Sequence, residues 1–320
     1  MLASLKRLPG ASWLIHPVTL VYLVVIAIWI TAGIMKPGFA RIGHLRYLLE
    51  LAAVIGIAAA GQTLVIIAAG IDLSVAAVIT FAAILTPIVS AGWDPTGLVG
   101  ILVVLAITTA IGAVNGVGVV LLRVHPLIIT LATATILQGS LLLIAGGSAV
   151  STTNPAVVWL GNERLWGFPV TILTWLVVAA ATLVVLHRTV LGSWLYAIGT
   201  NPRASRLAGV NAPLTLITAY AISGASAGLA GLLLLGMNRQ GYVGIGEPYL
   251  LGTIAAVVVG GTSILGGRGS YLGTIAGAIL LVTLTALITV VNASPGLRMI
   301  LFGGLVLAML LIAGRVQETR

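Results

Sequence analysis

Asp72 stands in the run Gly70-Ile71-Asp72-Leu73-Ser74, which breaks one long apolar stretch and is followed at once by another. An aspartate at the centre of a membrane helix costs roughly 2.5 to 3.5 kcal/mol on insertion scales, so this one must end a helix, find partners or be hydrated. Asp72 with Ser74 suits a helix start, where a carboxylate oxygen caps free N–H groups and meets the positive end of the helix dipole. Two readings stand: a cap at a turn between spans, or a group on a transport path.

Uncharged polar residues inside apolar stretches are the second chemical resource. Asn115, Thr130, Thr133 and Gln138 lie there, as do Gln62, Ser223 and Asn292. Such side chains commonly bond one membrane helix to another. The stretch carrying Thr130, Thr133 and Gln138 is rich in hydroxyls and is the better candidate for a wet lining, which suits a neutral polar solute.

A third feature is Gly199-Thr200-Asn201-Pro202-Arg203-Ala204-Ser205-Arg206-Leu207-Ala208-Gly209-Val210. Asn201 can cap a helix, Pro202 suits its first position and Gly209 suits the left-handed residue beyond its end. The spacing predicts about two turns with Arg203 and Arg206 on one face. A helix that short needs a surface to dock on. Either it lies on anionic lipid, or it couples the membrane domain to a cytosolic ATPase.

Catalysis by the chain itself finds little support. There is no cysteine, and the two lysines, Lys6 and Lys36, lie outside any glycine-rich phosphate loop. No paired acids and no histidine with a carboxylate fall on facing span positions, so no catalytic or metal-binding residues are expected. Should ATP and Mg2+ drive the protein, they bind a partner chain.

The elements that must position these groups are membrane helices. Hydrophobic residues make up 60% of the 320 and charged residues 7%, where soluble domains carry about a quarter charged. The net charge of +9 comes from basic residues scattered between spans, which excludes a nucleic-acid patch. Apolar windows near 18–35, 48–69, 75–91, 98–121, 127–145, 170–187, 214–236, 250–266, 271–291 and 297–314 predict an all-α integral membrane protein with ten spans, some short or broken. With the N-terminus inside, nine of the fifteen basic residues are cytoplasmic, which favours cytoplasmic termini. Trp13, Trp93, Trp159, Trp166 and Trp194 fall near span ends, in keeping with the headgroup zone. The expected organisation is a cytoplasmic segment 1–17, one membrane domain 18–314 with a cytoplasmic loop 188–213, and a tail 315–320. The loop Gly260 to Ser270 holds five glycines and one charge; it either re-enters the membrane or makes a tight cytoplasmic turn.

Four segments together resemble the ribose and galactose type of ABC importer permease, whose wider group includes the branched-chain amino-acid permeases. They are AGIDLSVAAV at 69–78, the run from Asn115-Gly116 through RVHPLIITLATATILQGS, GTNPRASRLAGV at 199–210, and GGTSILGGRGSYLGTIAGA at 260–278. Ala69 and Ala76 replace glycines common in the first motif, and Gln138 stands where an arginine before glycine is frequent. The resemblance implies a bacterial inner-membrane subunit with a second copy or paralogue, a cytosolic ABC ATPase that binds ATP and Mg2+, and a periplasmic solute-binding protein. It implies ATPase contact through Asn201, Pro202, Arg203, Ala204, Arg206, Leu207 and Gly209, and a monosaccharide as solute; branched-chain amino acids or nucleosides are the alternatives. An ion-coupled transporter would need buried ionisable groups, and only Asp72 and span-end Glu50 are offered.

Overall fold

The computed structural model describes residues 17–91, 94–152, 154–290 and the short stretches 296–297, 300 and 303–304. Lys6, Arg7, Trp13, Trp93, Asn292, most of the tenth window and the tail 315–320 lie outside the described residues.

The described chain is mostly helical. Its long helices are α1 (Pro17–Met35), α2 (Ile42–Ile67), α3 (Val75–Ser90), α4 (Leu98–Leu121) and α5 (Pro126–Ala145). A short α6 (Pro155–Asn162) precedes α7 (Val170–Arg188), α8 (Val190–Thr200), the six-residue α9 (Pro202–Leu207), α10 (Ala212–Asn238), α11 (Glu247–Val259) and α12 (Tyr271–Val290). Four two-residue strands, β1 (Val150–Ser151), β2 (Arg164–Leu165), β3 (Phe168–Pro169) and β4 (Gln240–Gly241), pair antiparallel as β1–β4 and β2–β3. Six helices are long and apolar enough to cross a membrane, and shorter apolar helices accompany them. Ile30, Leu102, Leu143 and Val177 stand exposed on outer faces, as lipid-facing side chains do. The protein is a multi-pass membrane protein.

Helix starts follow local chemistry. The Oδ1 atoms of Asn154, Asn201 and Asn211 accept from backbone N–H groups in the first turns of α6, α9 and α10, and a proline opens or follows each cap. The first nine apolar windows coincide with helices, with shifts at their ends. The eighth window was expected to reach residue 266, yet α11 stops at Val259 because Gly261 turns left-handed at φ 89°. The loop 188–213 contains α8 as well as the anticipated short helix, and the break 146–169 contains α6.

The core centres on α10, which packs along α4, α2, α3 and α6, while α12 joins α11, α2 and α1. Lipid supplies no hydrophobic drive for helix association, so close backbone approach must do more of the work. Gly112 on α4 faces Gly224 on α10, Gly116 lies against the Ile217 backbone and Gly228 against Thr108, and a Cβ added to Gly112 would stand 2.1 Å from the Tyr220 carbonyl oxygen.

Residues 239–246 were not singled out from sequence as a broken segment. They run non-helically beside α3, with the Gly246 N–H donating to Thr80 Oγ1 at 3.0 Å and the backbone of Gly241 against the Ala83 carbonyl. The closely spaced Gly241, Gly244 and Gly246 were the available signal.

Outside the spans, Asp94 fastens the start of α4. Its Oδ2 accepts from Gly100 N–H at 2.7 Å, and its Oδ1 from Gly97 N–H at 2.8 Å and from Thr96 Oγ1 at 3.1 Å. The Gly100 N–H foremost, with the other donors, holds the Asp94 carboxyl below the usual carboxylate range.

Two outcomes are expected. Gly112→Ala lowers stability in detergent by about 1–3 kcal/mol, whereas Gly43→Ala, whose Cβ would meet nothing within 4 Å, leaves the unfolding temperature close to wild type. The folded Asp94 value lies below the unfolded one, so its stabilisation is complete above the ordinary aspartate range and is lost as pH falls through the folded value, below about pH 4. Thermal unfolding of Asp94→Asn between about pH 6 and 3 should therefore be flatter than that of wild type; parallel profiles would count against this account.

Candidate functional site

The Asp72 segment begins where α2 ends. Ala69 N–H donates to Ile66 O and Gly70 N–H to Val65 O, each at 2.9 Å, with Ala69 at φ 62°. This is a left-handed helix stop of the kind glycine fills best, and alanine there carries a backbone cost of about 1–2 kcal/mol.

Asp72, only 1% exposed, then closes a turn ahead of α3. Its Oδ1 accepts from the Ser74 N–H at 2.9 Å and from Ser74 Oγ at 2.5 Å; its Oδ2 accepts from Ser223 Oγ on α10 at 2.7 Å. Asn115 Nδ2 on α4 donates to Ser74 Oγ at 2.9 Å, and Thr133 Oγ1 on α5 donates to Asn115 Oδ1 at 2.6 Å. Thr130 Oγ1, one turn earlier on α5, accepts from the Leu73 N–H at 3.1 Å and donates to the Pro126 carbonyl at 2.9 Å. The network thus ties the α2–α3 break to α4, α5 and α10 through neutral donors. By helical rise it lies about 10 Å along α5 from Pro126 and about 16 Å along α10 from Ala212.

Five of the six residues singled out for a path, Asp72, Ser74, Asn115, Thr130 and Thr133, are therefore in one network. Gln138 is not: five residues from Thr133, it points about 140° away around α5 and is exposed. Asp72 bonds the N–H of Ser74 instead of the first-turn N–H groups of α3, so its cap is displaced by one step from the one expected. Sequence reasoning underrated Ser223, an ordinary polar residue in a span, and passed over Tyr220 one turn away. The Tyr220 side chain is buried, and its hydroxyl lies against Gly70.

The second site is α9. Asn201 Oδ1 accepts from the N–H groups of Arg203 and Ala204, each at 3.0 Å, and Gly209 takes φ 81° beyond the helix end, with Val210 N–H bonded back to Ser205 O. Only Ser205 of this helix is buried. Arg203 and Arg206 are exposed, Arg206 Nε donates to the Pro202 carbonyl at 3.1 Å, and Leu207 is 91% exposed. The seven residues Asn201, Pro202, Arg203, Ala204, Arg206, Leu207 and Gly209 thus form one protruding helical turn with its two caps. Leu207 stands directly after Arg206 at the exposed end of the helix.

The described residues make a multi-pass helical membrane protein with a buried polar network between its helices and a short, exposed basic helix. The profile of the family described as the permease component of the branched-chain amino acid transport system matches residues 45–310, and the chain belongs to that family. It is 35% identical over 317 residues to the ribose import permease protein RbsC of Escherichia coli strain K12, covering 98% of each chain. It is 31% identical to the ribose import permease protein RbsC of Bacillus subtilis over 88% of each chain. The L-arabinose transport system permease protein AraH of Escherichia coli is 32% identical, with 93% of this chain and 91% of that one covered. No solved structure matches the chain.

Removing the Asp72 carboxylate leaves Ser74 N–H and Ser223 without their acceptor, while asparagine preserves one acceptor and adds a donor that Ser223 can accept. Asp72→Ala is expected to cost about 2–4 kcal/mol of stability and Asp72→Asn markedly less, read by unfolding of the purified protein in detergent.

Proposed function

We propose that this chain is the membrane-spanning permease subunit of a bacterial inner-membrane ABC importer, passing a monosaccharide delivered by a periplasmic binding protein and driven by a separate cytosolic ATPase. The observation that carries the reading is likeness along nearly the whole chain to a ribose import permease, with the capped basic helix α9 intact.

In this reading the polypeptide crosses the membrane ten times as one domain over 18–314, and both termini are cytoplasmic. The excess of basic residues in alternate loops supports that orientation. ATP and Mg2+ bind the partner ATPase, not this chain. The partner meets α9, with Leu207 entering an apolar socket and Arg203 and Arg206 meeting acidic groups at its rim.

The solute path runs between two permease copies along α5. One side of α5 holds the Asp72 network through Thr130 and Thr133, and its exposed side carries Thr135 and Gln138 among Leu131, Ile136 and Leu142. Polar side chains at that depth favour a wet passage or a protein neighbour over lipid. The Asp72 network belongs to the scaffold behind the path, because Asp72 is closed off from any solute by Ser74 and Ser223. Its complement of neutral donors also speaks against ion coupling, which calls for exchangeable ionisable groups. Branched-chain amino acids remain the second solute class, on the description of the family.

The test is uptake by proteoliposomes holding the permease with its ATPase and binding protein. Ribose uptake should require ATP and all the components, and uptake on a proton or sodium gradient alone would overturn the reading. Arg203→Glu with Arg206→Glu should abolish co-purification of the ATPase while leaving thermal unfolding of the permease unchanged.

A further inference from the structure

The glycine-rich loop 260–269 links α11 to α12. It folds as a set of tight turns, with Gly266 N–H bonded to Ser263 O and Ser263 N–H to Arg268 O, and Gly261, Gly266, Gly267 and Gly269 at positive φ. Its surroundings are specific. Gly267 N–H donates to the Ile67 carbonyl at the end of α2, at 2.8 Å. Gly199, in the last turn of α8, lies so close that an added Cβ would stand 1.9 Å from that same Ile67 oxygen and 2.4 Å from Gly267 N. A Cβ on Gly267 would stand 2.6 Å from Thr200 Oγ1, and one on Gly266 would stand 2.8 Å from Ala69. Tyr196 Oη on α8 donates to the Gly269 carbonyl at 2.8 Å.

Three segments far apart in sequence therefore meet backbone to backbone at one point. On one side, Thr200 is followed directly by Asn201, whose side chain caps α9. On the other, Ile67 and Ala69 belong to the helix stop that leads into Asp72, which is bonded to Ser223 and, through Ser74 and Asn115, to Thr133. Backbones at this spacing have no slack, and a closely packed contact passes displacement on instead of absorbing it.

We propose that the turn 260–269 is the seat joining α9 to the Asp72 network, with Tyr196, Gly199 and Gly267 as positioning residues that convert movement of α9 into movement of the α2–α3 break. The proposal rests on α9 being the ATPase contact. Pull or push on α9 reaches Ile67 through Gly199 and Gly267, and reaches the loop a second time through Tyr196. The α2–α3 break then carries it to α4, α5 and α10, which the network holds together. Ser223, Asn115 and Thr133 are the points at which the bundle feels the shift.

The test uses the complete transporter in proteoliposomes and measures ribose moved per ATP hydrolysed, a ratio that loss of folded protein does not change. Tyr196→Phe, which removes one hydrogen bond and keeps the ring, should retain the ATPase and its hydrolysis while the ratio falls about five-fold, the equivalent of one hydrogen bond. Gly267→Ala should do the same or worse; if it does not fold, Tyr196→Phe alone decides. A wild-type ratio in Tyr196→Phe overturns the proposal even where Arg203→Glu with Arg206→Glu has released the ATPase as expected. Retention of the ATPase by that double variant instead removes the docking reading on which the proposal stands.

Discussion

Inside a bilayer, backbone that leaves the helical path finds no partner in lipid, so each break at that depth must be satisfied by protein or by a water-filled cavity. This requirement organises the structure. The stop at the end of α2 closes on itself through Ala69 and Gly70, and its Ile67 carbonyl takes the N–H of Gly267. The segment after it is held by Asp72, and the non-helical stretch 239–246 is held along α3 by Thr80. Glycine is recurrent at these places because the partner is a backbone, and a side chain would hold the two apart.

The Asp72 network shows how a carboxylate is kept in such a setting. Both of its oxygens are occupied by donors from its own turn and from α10, and further hydrogen bonds extend to α4 and α5. Polar side chains serve here as fasteners between helices. The arrangement fixes three helices, α4, α5 and α10, to one break and keeps the Asp72 side chain buried.

In the proposed reading, two exposed surfaces among the described residues meet other molecules. One is α9, short, basic and tipped with Leu207; the other is the face of α5 that carries Gln138. They differ in kind: α9 has the size of a knob for a protein socket, while the α5 face is a long, mainly apolar strip with isolated polar groups. In the proposed reading the first meets the ATPase and the second lines the solute path.

The sequence by itself determined the membrane class, the helices of the first nine windows and the cap chemistry of α9. Each depends on local properties: a run of apolar residues, or an asparagine, a proline and a glycine at fixed offsets. Asp72 stood out because a charge in an apolar run is costly wherever the run ends up. Tertiary structure decided that Asp72 is enclosed by Ser223, that Gln138 faces away from Thr133, and that Tyr196, Gly199 and Gly267 converge on the end of α2. It also ended α11 seven residues early and laid 239–246 along α3. Those outcomes depend on which helix backbones come within contact distance, and residues as far apart as Asp72 and Ser223, or Gly199 and Gly267, carry no local signal of their meeting.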